Sequence, residues 1–146
     1  MAITYHTENG QTPSIKRRIV NQWIKSVAKV YDKEIGEITY IFCSEEQILD
    51  INKQYLNHDY YTDIITFDYS EGNVISGDIF ISPDTIKSNA ETLGAPYMEE
   101  LHRILIHGIL HLCGINDKGP GKREIMETNE NEALSILSKE VYKSIK

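Results

Sequence analysis

The apolar residues of this chain recur at two periods that no single kind of element can satisfy. Ile15, Ile19, Trp23, Val27 and Val30 follow one another at three- or four-residue steps, with Val20, Ile24 and Tyr31 widening the stripe. That spacing predicts an amphipathic helix opening at Pro13 and buried on one face to about Tyr31. Met98, Leu101, Leu105 and Leu112 mark a second long helix over residues 97–113, and Gly114 suits its left-handed cap. Between these lie short β-branched and aromatic runs at residues 37–43, 63–67 and 74–81, and residues 2–6 alternate enough for a further strand. Ser70, Glu71, Gly72 and Asn73 separate two of the runs as a turn cluster, which predicts a hairpin. Ser44 with Gln47 forms a capping box for a helix running to about Tyr55, followed by a polar, aromatic loop over residues 56–61. Ser82 before Pro83 caps a short helix. Residues 124–145 read as a closing helix marked by Ile125, Ala133, Leu134, Leu137 and Val141. Strands and helices in this mixed order, with no repeat and no linker, predict an α+β fold in a single domain over residues 1–146: a mixed sheet of about four strands with helices packed on it.

A chain of 146 residues buries roughly two-thirds of its unfolded surface without crosslinks. Its two cysteines, Cys43 and Cys113, sit in apolar surroundings and make no disulfide framework, which points to a reducing compartment. Residues 1–10 lack the basic start and apolar run of a signal peptide, and no apolar stretch approaches the roughly 18 residues that span a bilayer. The expectation is a cytoplasmic protein with no membrane partner. The net charge of −7 argues mildly against a protein that coats nucleic acid through bulk electrostatics, and its distribution matters more than its sum. Residues 1–33 carry six Lys or Arg against Glu8 and Asp32, a local balance of +4, so the first helix presents a basic face on an acidic body.

The chemistry is concentrated in the string His107-Gly-Ile-Leu-His111-Leu-Cys-Gly114-Ile-Asn-Asp117. Histidines four apart on a helix share one face about one turn apart, so both imidazoles reach a single ion at roughly 2.0–2.1 Å. Gly114 tolerates the positive φ that stops the helix and turns the chain back, bringing Asp117 toward the same ion. The predicted site is one metal ion at the end of this helix, zinc or another divalent metal, held by His107, His111 and Asp117. The spacing is that of the metzincin pattern with Asp in the last place. In His-Glu-x-x-His peptidases the residue after the first ligand is the general base; here it is Gly108, which takes no proton. Three protein ligands and an open position are the arrangement by which zinc lowers the pKa of a water and makes it a nucleophile near neutral pH. No general base and no other catalytic residue is named by the sequence.

On these residues, together with Ile51-Asn-Lys-Gln-Tyr55, Thr62-Asp-Ile-Ile-Thr-Phe67 and Gly77-Asp-Ile-Phe-Ile81, the chain resembles the YbeY-type rRNA maturation factors over about residues 41–126. The resemblance implies a zinc-dependent endoribonuclease, a hydrolase of RNA phosphodiesters acting in rRNA processing and ribosome biogenesis, with rRNA and ribosomal particles as partners. Two positions depart from that family's pattern. Asp117 stands where the family has a third histidine, which leaves a bound dication a formal +1 rather than +2. Leu56 stands where an arginine usually follows the aromatic residue of the second motif.

Other residues carry weaker alternatives. Cys113 points roughly 200° round the helix from His111, and His102 is turned by about 140° from His107, so both read as packing residues rather than ligands. His58 and Lys118 lie in loops, near substrate or simply solvated. Lys16, Arg17 and Arg18 on the first helix, and Lys122 and Arg123 past the ligands, are candidate contacts to an RNA backbone. Two rival functions remain open: a ribosome-associated RNA-binding module whose metal is structural, and a metal-dependent hydrolase of a small molecule or peptide.

Overall fold

The computed structural model describes residues 2–8, 12–56, 63–115 and 119–145. Strand β1 (Ala2–Thr7) is followed by helix α1 (Arg17–Val30), strand β2 (Glu34–Phe42) and helix α2 (Glu45–Ile51). The hairpin β3 (Ile64–Asp68) and β4 (Val74–Ile81) comes next, then helices α3 (Pro83–Leu93), α4 (Tyr97–Leu112) and α5 (Lys122–Ile145). The strands form one mixed sheet in the order β1-β2-β4-β3. β1 and β4 each run parallel to β2, with Tyr5 opposite Tyr40 and Tyr40 opposite Ile79, while β3 runs antiparallel to β4.

Local chemistry explains most of the boundaries. The Ser44 hydroxyl accepts from the Gln47 N–H at 3.1 Å and the Ser82 hydroxyl from the Thr85 N–H at 3.3 Å, each satisfying a donor at a helix start. α1 opens at Arg17 rather than at Pro13. The hydroxyl of Thr12, which would cap a helix starting at Pro13, is paired instead with that of Thr7 at 2.8 Å, tying this segment to the end of β1. β2 begins three residues earlier than its apolar run, because the Glu34 N–H donates to the Asn73 carbonyl and a register shift between Ile35 and Ile38 carries the pairing with β4 past Gly36. A Cβ at Gly36 would lie 2.3 Å from the Ser76 hydroxyl, so the bulge needs glycine there. The helix expected to run to Tyr55 is α-helical only as far as Ile51 and continues as a π-turn, Asn52–Leu56.

One face of the sheet carries the main core. Trp23, Ile24 and Val27 of α1 and Leu101, Leu105 and Ile109 of α4 close over Ile38, Tyr40, Ile79 and Ile81, all essentially without exposure. Buried polar atoms in this core are matched: the Tyr40 hydroxyl donates to the Leu105 carbonyl at 2.8 Å, and the Trp23 indole donates to the Ala133 carbonyl of α5 at 2.6 Å. The other face is covered in part by α2, whose Ile48 and Ile51 meet Cys43 and Ile65 beside Phe67 and Phe80. α4 lies unusually close to the sheet at Gly108, where a Cβ would fall 2.9 Å from Ile79 Cδ1 and 3.1 Å from Ile79 Cγ2. The glycine that excludes a peptidase base is thus the point where the helix bearing the two histidines sits down on β4.

Candidate metal centre

α4 presents His107 half-buried and His111 exposed near its C-terminal end. The helix stops as expected from Gly114, whose φ is +100° and whose N–H donates to the His111 carbonyl at 3.0 Å, while the Ile115 N–H donates to the Leu110 carbonyl at 3.0 Å. Asp117, the third expected ligand, lies outside the described residues, as do His58 and Lys118. Among the described residues, no group of three or more His, Cys, Asp or Glu side chains is arranged to hold a metal ion.

His107 does not stand by itself on its helix. Its Nδ1 lies 2.7 Å from Oε2 of Glu130, a residue of α5 that is only 8% exposed. A carboxylate can only accept, so Nδ1 carries the proton, and in the neutral ring the lone pair then resides on Nε2. The other oxygen of Glu130 accepts from Arg103 Nη1 at 3.0 Å, and Arg103 Nη2 donates to the Asn131 side chain at 2.9 Å. Glu100, one turn before Arg103, approaches its Nε at 3.9 Å. Asp63, at the entrance to β3, is close enough to feel both His107 and Glu130. Burial raises its carboxyl pKa, and the Glu130 charge adds to the rise; its own backbone N–H, His107 and the Asn89 side chain pull the other way. A cavity of about 560 Å³ opens against this cluster, lined by Leu93, Arg103, His107, Arg123, Met126 and Glu130 among others.

The remaining candidates separate in space. Arg123 shares the cavity wall with His107, whereas Lys122 is exposed at the start of α5. Lys16, Arg17 and Arg18 are exposed at the start of α1. The Arg17 guanidinium sits 5.1 Å over the Tyr5 ring, and Lys16 borders a groove with Met98 and His102 in the first half of α4. His102 meets the edge of Trp23 at 5.9 Å between ring centres, and burial lowers its pKa. Cys113 is half-buried against the main core, and burial pushes its thiol up to about 11. Both behave as packing residues.

Glu130, Arg103 and Asp63 were not singled out by sequence. Glu130 did leave a signal: with Met126, Ala133 and Leu137 it occupies the buried stripe of α5 at steps of four, three and four residues. A carboxylate in register with a buried stripe demands a partner.

Fold and site together describe a small α+β protein with an imidazole–carboxylate–guanidinium cluster at the junction of β3, α4 and α5. A family model described as Endoribonuclease YbeY matches residues 3–138, and the chain belongs to that family. A protein of Parabacteroides distasonis named Endoribonuclease YbeY is 67% identical over 140 residues, covering 96% of this chain and 99% of the relative. One of Bacteroides fragilis with the same name is 67% identical over 136 residues, covering 93% of this chain and 98% of its own length. The solution structure of TM1509 from Thermotoga maritima matches with a TM-score of 0.65 at 22% identity, covering 98% of this chain and 93% of that one, a likeness of fold. No helix among the described residues is long and apolar enough to cross a membrane.

Proposed function

We propose that this chain is a zinc-dependent endoribonuclease that cleaves RNA phosphodiesters in rRNA processing, with rRNA in ribosomal particles as its substrate and the cytoplasm as its compartment. The observation that carries the reading is the His107–Glu130 contact, one helical turn before His111, in a chain whose relatives bear the name Endoribonuclease YbeY. The residues present fit the metal. A histidine with its Nδ1–H on a carboxylate offers Nε2 in the form a zinc ligand requires, and His111 follows at the spacing that puts a second imidazole on the same side of α4. Asp117 is the third ligand in this reading. When bound, zinc supplies Lewis acidity toward the phosphodiester and lowers the pKa of water.

The chain's own residues supply the rest. Glu130 and Arg103 hold the His107 ring. Gly108 keeps α4 against β4, so that both histidines are borne on a helix seated on the sheet. Lys16, Arg17, Arg18, Lys122 and Arg123 are the cations assigned to the RNA backbone, and Arg123 lines the same cavity as His107. The test is cleavage of an rRNA fragment by purified, zinc-loaded protein, with loss of cleavage in His111→Ala. Zinc-dependent cleavage abolished by that variant is the expected result. RNA bound but left intact by the wild-type chain would overturn the nuclease reading in favour of a ribosome-associated RNA-binding module with a structural metal.

A further inference from the structure

We infer that Glu130 is a positioning residue for His107, and that Arg103 positions Glu130 in turn. The inference deepens the zinc reading above and rests on it. The carboxylate of Glu130, on α5, divides its two oxygens between two residues of α4. Oε2 takes the His107 Nδ1–H at 2.7 Å, and Oε1 takes the Arg103 guanidinium at 3.0 Å. Arg103 is itself held, by the Asn131 side-chain oxygen at 2.9 Å on α5 and by the approach of Glu100 on α4. The series Asn131, Arg103, Glu130, His107 passes back and forth between α5 and α4 and leaves the imidazole little freedom to turn about its own axis.

Burial gives the arrangement its force. A carboxylate 8% exposed is costly unless charged and hydrogen-bonded groups meet it, and here a guanidinium and an imidazole N–H do so. If Glu130 served only to join the two helices, the Arg103 contact would suffice, and an apolar residue would continue the Met126, Ala133, Leu137 stripe as well or better. The second oxygen on His107 does something such a pairing does not require: it selects one tautomer and directs Nε2 away from α5. That is the order in which a carboxylate behind a histidine prepares a metal ligand, and removing such a partner weakens metal affinity by about 10- to 100-fold.

The variant that separates positioning from packing is Glu130→Gln. Its size is nearly unchanged, but its amide has one acceptor end and one donor end where both neighbours are donors. The full-length protein is stripped of metal, its zinc dissociation constant is measured by competition with a chromophoric chelator, and circular dichroism establishes that the fold persists. The expected result is a dissociation constant weakened by about 10- to 100-fold for Glu130→Gln, with a smaller loss for Arg103→Gln. Independently, nitrogen-15 labelling of the histidines in the metal-free wild-type chain should show His107 as the Nδ1–H tautomer. An Nε2–H tautomer in the wild type, or wild-type zinc affinity in a folded Glu130→Gln protein, overturns the inference. A wild-type chain that takes up no zinc overturns the metal reading instead, and the tautomer measured in metal-free protein then decides the role of Glu130 separately.

Discussion

Replacing Gly108 by alanine sets two contributions of opposite sign against each other. Alanine in the middle of a helix is favoured over glycine by about 1 kcal/mol, and at a solvent-facing position that gain would appear as added stability. Here the new methyl meets Ile79 Cδ1 at 2.9 Å, Ile79 Cγ2 at 3.1 Å and Ile64 Cδ1 at 3.4 Å. Ile79 has no exposure, so its side chain has nowhere to retreat, and forcing a methyl into such a contact costs about 1–3 kcal/mol. The balance is a net loss of about 1 kcal/mol, a fall in Tm of about 3 °C for a chain of this size. Gly108→Val adds two more methyls and a poorer helix former, and should lose about 3 kcal/mol or more. Thermal unfolding of the metal-free protein followed by circular dichroism measures both. An alanine variant whose Tm rises by about 3 °C would refute the reasoning, since it would show α4 and β4 to be loosely apposed at this point.

His102 has its pKa lowered by burial against Trp23, so its neutral form is the stabilised one and the contribution is present above its unfolded pKa and lost as pH falls through the folded one. Unfolding temperatures at pH 7.5 and pH 5 should therefore differ less in His102→Phe, which keeps the ring contact, than in the wild type; equal differences would count against this account. Asp117→Ala should lower zinc affinity by orders of magnitude while Asp117→His retains the metal, measured by elemental analysis of protein purified without a histidine tag. Full zinc content in Asp117→Ala would show that another residue is the third ligand. Neutralising Lys16, Arg17 and Arg18 together should make RNA binding weaker and less salt-dependent, read from the slope of log affinity against log salt; an unchanged slope would leave that face to solvent.

Sequence alone determined what depends on residues within about four positions of one another. The caps at Ser44 and Ser82, the stop at Gly114 and the shared face of His107 and His111 were all legible, because a hydroxyl, a missing Cβ or a helical repeat acts on its immediate neighbours. The β3–β4 hairpin was legible for the same reason, since its turn cluster lies between the strands it joins. The start of α1 was misplaced by four residues because its deciding contact, Thr12 on Thr7, belongs to a neighbouring strand rather than to the helix.

Tertiary structure decided what had to be closed across longer stretches of chain. Nothing near His107 in the sequence indicates that Glu130, 23 residues onward, supplies its carboxylate, or that Asp63 enters from the start of β3. Both arrive because α4 lies on the sheet and α5 lies against α4. The strand order β1-β2-β4-β3 likewise follows from the parallel pairing of β2 with β4, which leaves the hairpin's other strand at the edge. Gly108 shows the division most plainly. Its identity reads locally as the absence of a base; its reason is the 2.9 Å that α4 leaves above Ile79, a distance set only when helix and sheet have come together.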